Sequence, residues 1–186
     1  LSTRPDNIDL NIVKMLKEYG VTTVELGVQS LDNKVLSLSE RGYRKEEVER
    51  AVKLLKDFQI EVGIQIMPGL PGSSFKSDLQ TVKEVIEMKP NFTRVYPTLV
   101  ISDTKLEKMF KNNEFVSLSL DEAVDLTSVI IAVLENCKIP IIRVGLQPSE
   151  DIREEGVIVA GPFHPAFREL CESNIYRLFF EEKLIT

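Results

Sequence analysis

The stretch Glu61-Val62-Gly63-Ile64-Gln65-Ile66-Met67-Pro68-Gly69-Leu70-Pro71-Gly72 constrains the fold more than any other. Its first seven residues read as a β-strand closed by a Pro/Gly turn. Side chains alternate along a strand, so Val62, Ile64 and Ile66 share one face while Glu61, Gly63, Gln65 and Met67 share the other. A parallel strand covered on both sides usually reads as a near-continuous apolar run. Here one face suits a helix layer. The other carries a carboxylate, an amide, a thioether and a bare glycine, and suits the wall of a cavity.

The same split recurs in three further stretches. Val24, Leu26 and Val28 alternate with Glu25, Gly27 and Gln29 in residues 22–29. Arg94 and Tyr96 share a face in residues 92–98. In residues 139–147, Ile142, Val144 and Leu146 oppose Arg143, Gly145 and Gln147. Between these strands lie helical patterns: residues 5–19 through Ile8, Ile12, Met15 and Tyr19; a short one through Leu31, Val35 and Leu38; residues 45–58 through Val48, Ala51, Val52, Leu55 and Phe58; and a helix capped at Ser73 or Ser74 through Phe75, Leu79, Val82 and Ile86. Residues 99–118 form an irregular excursion with a short helix around 104–110. Ser119-Leu120-Asp121-Glu122 is a capping box that opens a helix over 123–137. Residues 148–161 are acidic and loop-like, and His164-Pro165 starts a last helix whose apolar side is Phe167, Leu170, Cys171, Ile175, Leu178 and Phe179.

This alternation implies an α/β fold, a curved parallel sheet with right-handed crossovers and helices outside. The chain begins with Leu rather than Met and opens on a helical pattern, so a longer polypeptide with a preceding strand is expected. That favours a partial (βα) TIM-like barrel over a complete dinucleotide domain, and no GxGxxG follows any strand. The division expected is 1–148 as barrel and 149–186 as an extension packed on it. A sheet lacking its first strands would leave an open edge near residues 23–29 and invite dimerisation. In parallel α/β folds the working residues gather at the carboxyl ends of the strands, here Gln29-Ser30, Met67-Pro68-Gly69, Tyr96-Pro97-Thr98 and Gln147.

Composition narrows the classes. A net charge of −6 with no long basic run argues against strong nonspecific nucleic-acid binding by this chain alone. No run of 18 apolar residues and no signal-peptide pattern supports a membrane or secreted protein, so a cytoplasmic location is expected. Cys137 and Cys171 form no CxxC pair and suggest apolar fillers in a reducing compartment. With His164 as the one histidine, a self-contained zinc site or a His-based triad is disfavoured.

Two segments go beyond generic α/β. Glu25-Leu26-Gly27-Val28-Gln29-Ser30 followed by Arg41-Gly42 resembles the "GvQS…R.h" segment of radical S-adenosylmethionine (SAM) enzymes, and residues 63–72 resemble their next strand and its GLPG turn. With Arg94-Val95-Tyr96-Pro97-Thr98-Leu99-Val100 and Ile142-Arg143-Val144-Gly145-Leu146-Gln147, the pattern is most similar to the Elongator-catalytic-subunit branch. The oxygen-independent coproporphyrinogen oxidases share the first two motifs more loosely. The resemblance runs from about residue 3 to 173. It implies SAM and a [4Fe–4S] cluster as cofactors, a 5′-deoxyadenosyl radical, and RNA such as tRNA among the substrates. It also implies that Gln29 contacts the ribose, Arg41 the carboxylate and Gln65 the adenosine side, with Glu25, Ser30 and Met67 in the same cofactor set. Arg94, Tyr96, Arg143 and Gln147 are the substrate-side candidates, and Gly63 and Gly69 would let backbone approach the ligand. The family's CxxxCxxC loop and its glycine-rich motif are absent, so the chain as it stands should neither ligate the cluster nor carry out the reaction.

Each assignment has a plainer counterpart. Gln29 and Gln65 also fit inward amides satisfying buried backbone, and Arg41 a solvated charge. Glu25 and Arg143 could form a structural ion pair across the barrel. Tyr96 suits a wall, and His164 before Pro165 suits a cap. A noncatalytic barrel piece acting as a binding module is the alternative function. A lyase or aldolase barrel would want an inward Lys or a metal cluster, and no such Lys is found.

Overall fold

The computed structural model describes residues 1–146 and 157–185, with side chains described to residue 181. Five parallel strands form one sheet: β1 Ser2–Thr3, β2 Thr23–Gln29, β3 Glu61–Ile66, β4 Phe92–Val95 and β6 Ile141–Val144, in that spatial order. Between them run α1 Leu10–Glu18, α2 Asn33–Leu38, α3 Lys45–Asp57, α4 Phe75–Glu87, α5 Lys105–Lys111 and α6 Leu120–Asn136. A small antiparallel pair, β5 Val100–Ile101 with β7 Ile158–Ala160, lies apart from the main sheet, and α7 Phe167–Ile185 ends the chain. The architecture is α/β, a parallel open sheet of partial-barrel type.

Local chemistry sets the helix starts. Asp9 accepts from Ile12 N, Asp32 from Lys34 N and Val35 N, and Thr104 from Glu107 N. Ser119 and Glu122 form the reciprocal box expected from the sequence. The helix-side faces of the strands, Val24, Leu26, Val28, Val62, Ile64, Ile66 and Val95, are buried in one core with Val48, Leu55, Val82 and Ile130 from the helices. A second cluster joins Ala123 and Ile131 of α6 to Val144 and to Phe167 and Cys171 of α7. The α6–α7 seam also holds a buried polar link, Asn174 Nδ2 donating to Ser128 Oγ and Asp125 Oδ1.

Several expectations are corrected. The chain opens on a strand, not a helix: β1 pairs with Glu25 and Leu26 and occupies part of the edge expected to be open. α1 buries Val13 and Leu16, whereas Met15 and Tyr19 face solvent. α4 keeps Leu79, Val82 and Ile86 of the expected face against the core, but it also buries Asp78, Thr81 and Val85 and leaves Phe75 exposed. Leu38, Leu178 and Phe179 are exposed, Phe179 meeting the Phe180 ring edge-on. Residues 158–160 form a strand within the segment read as loop.

The face of β6 is corrected by a bulge. Thr93 sits beside Ile141, but Arg94 sits beside Arg143, so Ile142 is the inserted residue. The insertion turns Ile141 toward the core and leaves Ile142 about half exposed.

Candidate active site at the strand ends

Two polar pairs line the concave face. Gln65 Nε2 donates to Gln29 Oε1 at 3.0 Å, and Arg94 Nε meets Glu25 Oε2 at 2.9 Å. Arg94 Nη1 also donates to the Tyr96 hydroxyl at 3.3 Å; that hydrogen bond first, and Glu25 after it, hold the guanidinium charged. Glu25, Gln29, Gln65, Arg94 and Tyr96 thus form one polar wall. Glu25 pairs with Arg94 rather than with Arg143, because the register places Arg143 beside Arg94 and two strands further from Glu25 than β3. Gln147 lies outside the described residues.

The turn at the end of β2 explains how Gln29 reaches Gln65. A second bulge falls at Val28, where Gly27 pairs with Gln65 but Gln29 with Ile66. Gln29 has φ 65°, a left-handed conformation that non-glycine residues rarely adopt. Gly27 makes room for it, since a Cβ there would lie 2.7 Å from Gln29 Nε2. The Tyr43 hydroxyl lies 2.7 Å from Gly27 O and 3.0 Å from Val28 O, and Val28 O also accepts from Ser30 N, so both carbonyls at the bulge have donors beside them. Burial pushes the Tyr43 phenol up to about 12, so it stays a donor.

Arg41 follows α2 in the chain and lies by the turn after β3. Its Nη2 donates to Met67 Sδ at 3.4 Å, and its carbonyl accepts from Arg4 Nη2, which also stacks over the Tyr43 ring. Arg41 Nε and Ser39 Oγ are buried atoms without a hydrogen-bond partner among the described residues. Both residues line a cavity of about 350 Å³ together with Met67, Thr98, Lys105 and Met109. A larger cavity of about 590 Å³ opens between the starts of α2, α3 and α4, on the helix side. A Lys45–Glu84 ion pair at 3.0 Å lies in its wall, beside Asp32, Glu46 and Lys76.

Helix α4 holds both loops of the site. Asp78 Oδ2 accepts from Gly69 N at 3.0 Å and from Ser73 Oγ at 3.3 Å, pinning the turn after β3. One turn along, Thr81 Oγ1 accepts from Leu31 N at 3.1 Å and lies 3.3 Å from Ser30 Oγ, pinning the loop after β2. Thr98 Oγ1 completes the clamp by donating to Pro68 O. Burial, the dominant effect on Asp78, pushes its carboxyl up to about 6. Asp78, Thr81, Tyr43 and Arg4 were not legible as site residues, because each acts on a backbone group of a neighbouring loop or strand and not through its own motif.

Two glycines serve packing rather than ligand access. A Cβ on Gly63 would lie 2.2 Å from the Phe92 ring, and one on Gly69, at φ +82°, would lie 2.7 Å from Leu118. Side chains of the protein already fill both openings.

These features (strand ends, an amide pair, a guanidinium paired with a carboxylate, a GLPG turn) define an α/β barrel segment with a polar wall at its strand ends. The radical SAM superfamily matches residues 1–85, and the Radical SAM C-terminal domain matches residues 90–177. The chain belongs to the radical SAM superfamily. Among curated relatives, it is 38% identical over 131 residues to the tRNA uridine(34) acetyltransferase of Methanocaldococcus infernus, covering 69% of this chain and 24% of that protein. It is 33% identical over 138 residues to Elongator complex protein 3 of Saccharomyces cerevisiae, covering 72% and 25%. The chain therefore spans about a quarter of the length of these relatives. Among solved structures, that of M. infernus Elp3 lacking residues 1–46 superimposes with a TM-score of 0.82 at 33% identity, over 95% of this chain and 41% of that one. Escherichia coli coproporphyrinogen III oxidase shares the fold with a TM-score of 0.64 at 21% identity, over 73% and 31%.

The superfamily's cofactors are SAM and a [4Fe–4S] cluster. The residues fit the two groups differently. Cys137 is exposed at the end of α6 and Cys171 is buried on α7, and no group of three metal-ligating residues occurs among the described residues. This chain's side chains therefore do not fit the cluster. Arg41 Nε and Ser39 Oγ, buried and unsatisfied beside a cavity, do fit a charged, hydrogen-bonding ligand such as the aminocarboxylate of SAM. No helix among the described residues is long and apolar enough to cross a membrane.

Proposed function

We propose that this chain is the SAM-binding portion of a radical SAM enzyme that modifies tRNA, with the cluster ligands supplied from outside these residues. The observation that carries the reading is the buried Nε of Arg41, without a hydrogen-bond partner among the described residues, in a side chain that lines a cavity with Met67, whose backbone N donates to Gln29 O. In this reading Arg41 grips the carboxylate of SAM with its planar fork. Gln29, whose amide both donates and accepts, holds the ribose hydroxyls, and Gln65 orients Gln29 while bordering the adenosine. Met67 and Ser30 border the same ligand, and Glu25, tied to Arg94, keeps the wall polar. Bound with the cluster, SAM would supply the 5′-deoxyadenosyl radical. Arg94, Tyr96, Arg143 and Gln147 are assigned to the substrate side, residues 1–148 to the barrel and 149–186 to an extension on it.

The name tRNA uridine(34) acetyltransferase, borne by relatives of this chain, supports tRNA as substrate. A second reading, a noncatalytic barrel module, is favoured by the two cysteines that cannot form a cluster site. Isothermal titration of SAM into this chain tests the proposal. Saturable binding at one site per chain is expected, weakened by Arg41→Ala. No heat of binding, or binding indifferent to Arg41, would favour the module instead.

A further inference from the structure

Arg143 lies half-buried at the end of β6, beside Arg94 in the register. Like charges on neighbouring strands repel, and Arg94 is neutralised by Glu25. Arg143 meets no carboxylate and no hydrogen-bond acceptor among the described residues. A half-buried guanidinium without a counter-charge is costly, and an anionic ligand would remove that cost.

The surroundings of Arg143 point to what such a ligand is. A cavity of about 230 Å³ opens between β6 and the start of α7, lined by Arg143, Arg168 and His164 among others. His164 Nδ1 accepts from Ala166 N at 3.1 Å. In the neutral ring this places the proton on Nε2, leaving a donor. Arg168 spends its Nε on Glu172 at 2.7 Å and one Nη on Ile141 O at 3.3 Å, which orients the guanidinium and keeps its other Nη free. Glu169 is the carboxylate on the wall, against two guanidiniums and an imidazole. In a chain of net charge −6, this concentration of donors runs against the general surface.

We propose that this cavity is a phosphate-binding site in which Arg143, Arg168 and His164 hold a phosphate group. Two guanidiniums and an N–H donor suit a tetrahedral oxyanion, which accepts several charge-assisted hydrogen bonds at once. The site lies at the carboxyl end of a parallel strand, the side on which the Arg41 cavity also opens. The phosphate comes either from the backbone of an RNA substrate or from a free phosphate-bearing small molecule. The first source rests on the tRNA reading above; the site itself does not.

The test has two arms on the intact chain. In the first, a short single-stranded RNA oligonucleotide is titrated at several salt concentrations. Arg143→Gln should weaken binding about tenfold or more, the size of a charge-assisted hydrogen bond. It should also lower the magnitude of the salt slope by about 0.7, one phosphate contact on a single strand. Arg143→Lys should keep the slope and recover part of the affinity. Lys14→Gln, an equal loss of charge on the outer face of α1, should change neither. In the second arm, inorganic phosphate is added and backbone amide resonances are followed; those of Arg143, Val144, Ala166 and Arg168 should move together and stay still in Arg143→Gln. Arg168→Gln serves if Arg143→Gln does not fold. Phosphate shifts at these residues without RNA binding would keep the site, assign it to a small molecule and remove the tRNA reading. RNA binding equally sensitive to Arg143→Gln and Lys14→Gln would overturn the RNA source, and absence of phosphate shifts in this cluster would overturn the site.

Discussion

At the scale of single residues, the site depends on polar groups whose partners are backbone atoms of another segment. Asp78 shows the consequence for stability. Its folded-state pKa, about 6, is raised above the usual carboxylate range, so the folded chain holds this proton more tightly than the unfolded one. The contribution favours folding at low pH and is lost as pH rises through about 6. Asp78→Asn removes that dependence and keeps an acceptor for Gly69 N. The stability of Asp78→Asn relative to the parent should therefore improve by about 1 kcal/mol between pH 5 and pH 7, read from urea denaturation at both values. An unchanged difference would mean that Asp78 ionises normally in the fold. A second residue-scale prediction concerns Gly63. Gly63→Ala should destabilise by about 1–3 kcal/mol, because the new methyl enters the Phe92 ring. The penalty should shrink when Phe92→Ala is added; an additive double mutant would show that the clash is not the cause.

At the scale of elements, the strands were legible because alternation is local: one face apolar and one polar reads directly from four stretches. The bulges at Val28 and Ile142 were not legible, because an inserted residue breaks the two-residue period without changing composition. The helices show the same limit. α3 has one apolar stripe and was read correctly, whereas α1 and α4 each offer a second stripe at helical spacing. In α4 the polar clamp on the two loops decides the orientation, so Asp78 and Thr81 turn inward and Phe75 outward. The wall residues Glu25, Gln65 and Arg94 were identified, but their pairing was not, since it depends on how far a side chain reaches across a glycine. Helix starts follow local rules closely: Ser119→Ala should cost about 1 kcal/mol of stability by thermal unfolding, through loss of the box with Glu122. No change would mean that α6 is held by its packing on α7 and the sheet alone.

At the scale of the whole molecule, the sheet order, the polar wall and the superfamily membership describe a radical SAM barrel segment. The proposal assigns the SAM side to this chain, whose two cysteines, one exposed at the end of α6 and one buried on α7, do not make a cluster site. Anaerobic reconstitution with iron and sulfide should therefore leave it without a stoichiometric [4Fe–4S] cluster, judged by absorbance and iron content. A full cluster lost on Cys137→Ala would contradict this. The central claim, that the strand ends bind SAM, is tested most directly by calorimetric titration of SAM into the parent chain and into Gln29→Ala, Gln65→Ala, Arg41→Ala and Val62→Ala. The first two should each lose about 0.5–1.5 kcal/mol of binding free energy and Arg41→Ala about 1.5–3 kcal/mol, as expected for neutral and charged partners. Val62→Ala, on the helix-side face, should lower the melting temperature and leave affinity nearly unchanged. An Arg41→Ala variant that binds as tightly as the parent, while Val62→Ala does not, would contradict the assignment of both the site and the strand faces.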